Sequence, residues 1–305
     1  MGTMVDLGGH RLHVNCSGAG SPTVVVENGL GDFSFDWVLV QTRVAKFTRI
    51  CTYDRAGYAW SDPGPKPRTF AQINLELLDA LKKLGEKGPY VLVGHSYGGP
   101  VVRSFAMTYP HDVAGMVQVD AAFEGMRVGI GGGKTLRLGE DAKGKSIPEP
   151  RETMLASDKP AIPADARPQG PNELDPMYKG LPEPIQKLQL WAQVLPEMED
   201  AEGSQREWSG EYFAKWMKTS QAGTLGKIPL VVLTRAEGGY SDADVPATQL
   251  EKERKEGQAM LVKLSSNSKQ IIVKSGHNME VEAPDAVAGA IQLVVEAVKK
   301  GGMLQ

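Results

Sequence analysis

The stretch around Ser96 constrains the fold of this chain more than any other part of the sequence. The apolar run Tyr90–Val93 predicts a short buried strand, and Val101–Met107 predicts a helix. The pentapeptide Gly94–Gly98 joins them and matches the pattern G-x-S-x-G. Because glycines stand two positions before and two after the serine, the chain can make a tight, strained turn there. Such a turn holds the Ser96 hydroxyl out at the carboxyl edge of a sheet.

Strands and helices alternate on both sides of this turn. Paired glycines at 8–9 predict an amino-terminal hairpin over 4–16. Apolar runs predict further strands, at 23–27, 49–53, 113–119, 227–233 and 269–274. Helical spacing of apolar residues predicts helices, at 35–46, 69–85, 246–264 and 284–300. The alternation indicates an α/β chain with a largely parallel sheet. It stops in a segment rich in proline and glycine, so we expect one core, 1–123 and 227–305, interrupted by an insertion over 124–226.

Composition excludes several classes of function. The 305 residues carry a net charge of −3 without a basic cluster, so we expect no nucleic-acid partner. No run approaches the roughly 18 apolar residues that a membrane-spanning helix needs. The start, Met1–Asp6, lacks a basic region followed by an apolar run, and we expect no signal peptide.

One glycine-rich run, Gly129–Thr135, resembles a phosphate-binding loop. Val128 stands where that pattern requires glycine, and no clear strand precedes the run. We therefore interpret it as a flexible glycine-rich linker. The sequence also lacks the C-x-x-C, H-E-x-x-H and EF-hand patterns, so we expect no metal site.

Several motifs, taken with this order of elements, resemble the α/β-hydrolase superfamily. They are the turn Gly94–Gly98, the loop Asn28–Leu30, the segment Tyr53–Gly57 and the late Ser275–His277. The resemblance covers residues 4–123 and 227–300, and the insertion lies where that superfamily places its cap. It implies an α/β-hydrolase fold, with a mostly parallel central sheet of about eight strands flanked by helices, and a helical cap over 124–226.

A serine hydroxyl needs a base to become a nucleophile at neutral pH, and the chain offers five histidines. We expect four of them to lie away from the serine hydroxyl. His10 and His13 belong to the amino-terminal hairpin, His95 stands beside Ser96 but is turned elsewhere, and His111 lies at the surface. His277 follows the last predicted strand, at the carboxyl edge where Ser96 stands. The order serine, acid, histidine is the one expected for such a fold, so His277 is the predicted base.

The acid that orients this base has more than one candidate. The resemblance implies either the loop after Leu233 or the end of the preceding strand. The loop contains Glu237, Asp242 and Asp244, but no aspartate at the usual position. The preceding strand ends at Asp120. We favour Asp120 as the acid and leave Glu237, Asp242 and Asp244 open.

The resemblance also implies the function. The backbone N–H groups of Leu30 and Tyr97 are expected to form an oxyanion hole. The implied activity is that of a serine hydrolase of the carboxylesterase or lipase type, without a cofactor, acting on a small ester. Hydrolysis of an amide, a lactone or a carbon–carbon bond, or perhydrolase chemistry, is the alternative. A catalytically inactive binding protein on the same fold is the third interpretation.

The two cysteines bear on cellular location. In the strand order of the superfamily, the strand that contains Cys16 lies beside the strand that contains Cys51. The resemblance thus suggests a disulfide as a hypothesis, with two buried thiols as the alternative. A disulfide would favour an exported or periplasmic protein, and free thiols would favour a cytoplasmic one. The oligomeric state is left open by the sequence.

Overall fold

A computed structural model describes residues 2–160, 173–219, 221–236, 238 and 244–304. Its strands are Thr3–Asp6 (β1), Arg11–Ser17 (β2), Val24–Glu27 (β3), Ile50–Tyr53 (β4), Tyr90–His95 (β5), Val113–Val119 (β6), Arg127–Gly131 (β7), Lys134–Arg137 (β8), Leu230–Arg235 (β9) and Ser268–Val273 (β10). Its α-helices are Val38–Val44 (α1), Phe70–Lys83 (α2), Gly98–Thr108 (α3), Glu183–Ala192 (α4), Pro196–Met217 (α5), Ala247–Val262 (α6), Met279–Glu282 (α7) and Pro284–Lys299 (α8).

Eight strands form one sheet in the order β1-β2-β4-β3-β5-β6-β9-β10. Strand β2 pairs antiparallel with β1 and β4, and the remaining pairs are parallel. The predicted mostly parallel sheet of about eight strands is therefore confirmed. Because parallel strands end at the same edge of a sheet, the residues that follow β3, β5, β6, β9 and β10 all lie along that edge.

Helices cover both faces of this sheet, as the continuous apolar runs of its central strands require. On one face, Trp37 and residues of α1 and α8 pack against the valines of β3 and β5. On the other face, residues of α2, α3 and α6 form a second cluster. The predicted start of α2 is confirmed, since the Thr69 hydroxyl accepts the Gln72 N–H at 3.0 Å.

The hypothesised disulfide is present. Cys16 of β2 and Cys51 of β4 are directly opposite in the antiparallel register, with their Cα atoms 4.0 Å apart, and the sulfurs are bonded. The bond links the antiparallel edge of the sheet to its parallel centre. None of the helices described here has the length and apolar character needed to cross a membrane.

The segment between β6 and β9 contains the hairpin β7–β8 and the helices α4 and α5. The interpretation of Gly129–Thr135 as a flexible linker is wrong, because this run forms most of the hairpin. Gly132 and Gly133, with φ angles of 59° and 74°, supply the left-handed turn. Helix α5 begins at Pro196, and proline is well suited to the first helical position.

Aromatic residues of α5 pack against the core beside the serine turn. The Tyr212 ring lies 4.4 Å from the ring of Phe70, and Trp216 lies 6.0 Å from it, between ring centroids. Phe70 in turn contacts the ring of Tyr97, with centroids 5.5 Å apart. Helix α5 therefore lies over the residue that follows Ser96.

Candidate active site

Ser96 occupies a strained turn at the end of β5. Its φ angle is +49°, in the left-handed region that residues with a side chain seldom adopt. Backbone hydrogen bonds tie the turn to β6 and the residues after it. The Ser96 N–H donates to the backbone oxygen of Val119 at 3.1 Å, and the backbone oxygen of Ser96 accepts the Ala122 N–H at 2.9 Å. A Cβ atom at Gly94 would lie 2.5 Å from the Gly98 oxygen, so the pattern needs glycine there. Ser96 itself is only partly buried.

His277 lies beyond the end of β10, at the same edge of the sheet. Its Nδ1 is 2.6 Å from Oδ2 of Asp120, which follows β6. The Asp120 side chain is 3% exposed, whereas that of His277 is 33% exposed. The structure thus brings together His277 and the favoured acid. If Nδ1 donates to Asp120, Nε2 carries a lone pair and can accept a proton.

Arg235 fixes Asp120 from the other side. Its Nη1 donates to Asp120 Oδ2 at 2.8 Å, and its backbone N–H donates to Oδ1 at 3.4 Å. Burial alone would raise the pKa of Asp120, but the hydrogen bond from His277 and the positive charges around the carboxylate hold that pKa below its ordinary value. Asp120 therefore stays ionised at neutral pH and accepts both donors.

The other candidate acids have different positions. Asp244 is exposed and accepts the hydroxyl of Thr135 at 2.7 Å, so it belongs to the hairpin β7–β8 rather than to the His277 loop. Glu237 and Asp242 lie outside the described residues.

Ser96 and His277 make no hydrogen bond to each other in the part of the chain that the structure describes. Catalytic hydrogen bonds are often long without substrate and shorten in the reactive complex. Both side chains are partly exposed at the same sheet edge, whereas Asp120 is buried behind His277. The order of access matches a nucleophile and a base in contact with substrate, with the acid shielded.

The predicted oxyanion donors are two backbone N–H groups. Tyr97 is the residue before the first turn of α3, so its N–H has no partner within the helix. The other is Leu30, in the loop after β3. Among the described residues, neither N–H group has a hydrogen-bond acceptor. Both are therefore available to a bound oxyanion.

The loop that contains Leu30 is held by Arg55, a residue of the Tyr53–Gly57 motif. The Arg55 guanidinium is fully buried and donates to the Asn28 oxygen at 2.7 Å and to the Gly29 oxygen at 2.5 Å. Because a trans peptide points its C=O and N–H in opposite directions, the Gly29 oxygen on Arg55 turns the Leu30 N–H away from Arg55. Arg55 also donates to Glu27 at 2.8 Å, which balances its charge.

Sequence reasoning missed His95, Arg55 and Arg235 as site residues. His95 was expected to be turned away from the serine hydroxyl; its ring nitrogens face Asp32 and the backbone oxygen of His277, and its ring centroid is 4.7 Å from that of His277. The motif Tyr53–Gly57 was a signal for Arg55, although spacing alone does not show which carbonyls it binds. Arg235 carried no signal, because its role depends on how β9 and β6 pair in the sheet.

Two groups of described residues have the donor types of a metal site, with ligand atoms within 4.8 Å of one another: Asp32, His95 and Glu280, and Cys16, Cys51 and Glu86. In the second group the cysteines are joined in the disulfide and cannot act as thiolates. In the first, both ring nitrogens of His95 already have hydrogen-bond partners, at 2.9 and 3.0 Å. We assign no metal to either group.

Comparison with known proteins identifies the family. The model of the alpha/beta hydrolase family matches residues 24–290. Among curated proteins, the probable transporter efuK of Hormonema carpetanum is 36% identical over 129 residues, which cover 40% of this chain and 18% of that protein. Two further relatives are matched over 37% and 42% of their length, so the chain spans less than half of each of these curated relatives.

Solved structures show the same fold at low sequence identity. A serine hydrolase involved in carbazole degradation, the CarC enzyme, is 17% identical with a TM-score of 0.65, and the match covers 97% of this chain and 98% of that one. The meta-cleavage product hydrolase CumD from Pseudomonas fluorescens IP01 is 17% identical with a TM-score of 0.64, over 99% of both chains. The match to the family model over most of the length shows that this chain belongs to the alpha/beta hydrolase family.

Proposed function

We propose that this chain is a serine hydrolase that cleaves carboxylic esters through an acyl-enzyme intermediate. Ser96 is the nucleophile, His277 the base and Asp120 the acid that orients the base. The observation that carries the proposal is the 2.6 Å contact between His277 Nδ1 and a buried, ionised Asp120. It leaves His277 Nε2 to accept a proton at the sheet edge where Ser96 stands.

The reaction begins when His277 Nε2 takes the proton of the Ser96 hydroxyl and Oγ attacks the carbonyl carbon of the ester. The tetrahedral oxyanion accepts hydrogen bonds from the N–H groups of Leu30 and Tyr97. As the intermediate collapses, the proton on Nε2 passes to the leaving alkoxide, and the acyl group stays on Ser96. Water then repeats the cycle: it gives a proton to His277, its oxygen attacks the acyl carbon, and Ser96 regains the proton as the carboxylic acid leaves. Asp120 remains ionised throughout and stabilises the imidazolium.

A fluorophosphonate probe tests the nucleophile without knowledge of the substrate. We expect one adduct on Ser96 of the folded protein, located by peptide mass spectrometry, and none in Ser96→Ala. Absence of an adduct on folded wild-type protein would overturn the proposal and would favour the inactive binding protein instead.

We also propose that residues 124–226 act as a cap that selects the substrate. The support is the packing of Tyr212 and Trp216 of α5 over Phe70, which contacts Tyr97 beside the nucleophile. A panel of p-nitrophenyl esters of increasing acyl length, with a lactone and an anilide beside it, separates ester hydrolysis from the lactone and amide alternatives. Preference for the lactone or the anilide would move the assignment to that class. A vinylogous 1,5-diketone tests carbon–carbon cleavage, and hydrogen peroxide as acceptor tests perhydrolase chemistry.

The disulfide between Cys16 and Cys51 supports a location outside a reducing cytosol, so an exported or periplasmic protein is proposed. Thiol titration of the denatured, unreduced protein checks it. We expect no free thiol, and two free thiols would favour a cytoplasmic protein.

A further inference from the structure

His95 is a buried residue that contacts the base from beneath the serine turn. Its side chain is 1% exposed. One ring nitrogen, Nδ1, is 2.9 Å from Oδ2 of Asp32, and the other, Nε2, is 3.0 Å from the backbone oxygen of His277. His95 precedes Ser96 in the chain, so it joins the turn that presents the nucleophile to the loop that presents the base.

The partners of His95 determine its protonation. A backbone oxygen only accepts hydrogen bonds, and so does an ionised carboxylate. Each ring nitrogen of His95 therefore faces an acceptor, and both must carry a proton. The pKa values agree: burial disfavours the charged ring, but Glu280 and Asp32 raise the pKa of His95 to about 10. Burial likewise raises the pKa of Asp32, yet the hydrogen bond and charge of His95 bring it below its ordinary value.

We propose that His95 is a positioning residue for the base: its doubly protonated ring ties the backbone of His277 to Asp32 and so fixes the imidazole beside Ser96. This inference rests on the proposed serine-hydrolase function. It assigns a role to a histidine that takes no part in the chemical steps.

The charge of His95 has a second effect, because the two rings are 4.7 Å apart. A positive charge at that distance disfavours a second one. Burial and the charge of His95 lower the pKa of His277, while Asp120 opposes them. The base is therefore neutral and able to accept a proton at neutral pH.

Several other groups face this pair and enter its pH dependence. The titratable or charged groups around His95 and His277 are Asp32 with Asp36 and Tyr178 behind it, Glu280 of α7, Asp120, Arg235 and Arg55. Burial, together with the charge of Asp32, raises the pKa of Glu280 to about 7, so Glu280 titrates near neutral pH. Its nearer carboxylate oxygen is 3.8 Å from His95 Nε2. Glu280→Gln therefore belongs in the test, to separate its titration from that of His277.

The experiment measures the rate of fluorophosphonate labelling at Ser96 as a function of pH, which needs no substrate. In His95→Gln the side-chain amide can still donate to the His277 oxygen, but the charge is gone. We expect the acidic midpoint of the labelling rate to rise by about 1 pH unit, because His277 is no longer beside a cation. In His95→Leu we expect the same rise and, in addition, a loss of at least about tenfold in the plateau rate, because the base is also no longer held. His111→Gln, at an exposed histidine, should leave both values unchanged.

An unchanged midpoint in His95→Gln, with Ser96 still labelled, would overturn the role of His95 and leave the serine hydrolase in place. No labelling of the wild type would instead remove the proposed function itself. If His95→Gln does not fold, NMR of histidine ring nitrogens in the wild type decides the matter. We expect His95 to be doubly protonated at pH 7, and a neutral His95 at pH 7 would overturn the inference.

Discussion

Replacing Asp120 by asparagine tests the proposed pairing of acid and base most sharply. Asp120 Oδ2 accepts from both His277 Nδ1 and Arg235 Nη1, at 2.6 and 2.8 Å, whereas Oδ1 accepts the backbone N–H of Arg235 at the longer distance of 3.4 Å. An amide in the same place can put its oxygen at the Oδ2 position and keep both short bonds. We therefore expect Asp120→Asn to preserve the orientation of His277 and to remove only the negative charge.

The magnitude follows from that lost charge. Two unit charges about 4 Å apart interact by about 4 kcal/mol at an effective dielectric constant of 20, which corresponds to roughly 10³ in rate. His277 is 33% exposed, so solvent screens part of this energy. We expect kcat/KM to fall by about 10² to 10³. The acidic limb of its pH profile should move to lower pH, since an imidazolium without its carboxylate loses its proton more easily.

The assay is hydrolysis of a short p-nitrophenyl ester, followed across the pH range in which histidine titrates. Glu237→Gln and Asp242→Asn test the other acids, and Asp244→Asn at the exposed hairpin contact serves as the matched control. Thermal unfolding checks that each variant is folded. The reasoning is refuted if Asp120→Asn keeps a near wild-type rate, and a large loss in Glu237→Gln or Asp242→Asn would move the acid to the later loop.

Three further predictions concern stability and the oxyanion loop. The double variant Cys16→Ser/Cys51→Ser should lose about 4 kcal/mol of unfolding free energy in denaturant titrations, because the bond closes a loop with a sequence separation of 35; an unchanged value would contradict this. Glu76 is buried, yet the charge and hydrogen bonds of Arg68 lower its pKa to about 2. This ion pair should therefore contribute about 3 kcal/mol to the free energy of unfolding above about pH 5, and the contribution should be lost as the pH falls towards 2. Glu76→Gln should flatten that part of the stability profile, and an unchanged slope would count against the pairing. Arg55→Lys should lower kcat far more than it changes KM for the same ester, since a single ammonium cannot hold both carbonyls of the Leu30 loop; equal effects on kcat and KM would speak against the role of Arg55.

The fold was predictable from the sequence because its signals are local. Buried strands such as Tyr90–His95 appear as continuous apolar runs, and the amphipathic helix from Phe70 shows its spacing and its Thr69 cap. The glycine run at 129–135 was misinterpreted, because paired glycines suit a hairpin turn as well as a linker, and only the flanking residues decide.

The candidate site was predictable only in part. Ser96 and His277 follow from chain order and from the edge at which parallel strands end. Asp120 required a choice among four acids, because the side chain that reaches His277 depends on the register of β6 beside β9. The motif Tyr53–Gly57 pointed to Arg55, but the roles of His95 and Arg55 could not be predicted. Both roles lie in hydrogen bonds to backbone oxygens of distant segments, and such bonds leave no pattern in the sequence.

The left-handed backbone at Ser96 sets stability against activity at a single position. A residue with a side chain costs about 1–2 kcal/mol in that conformation, and glycine would recover roughly 0.5–1 kcal/mol after its own loss of entropy. Ser96 Oγ has no hydrogen bond among the described residues that would offset this cost. Selection for thermostability alone would therefore favour Ser96→Gly. Engineering of this protein for stability should keep residue 96 constant while the rest of the chain is varied.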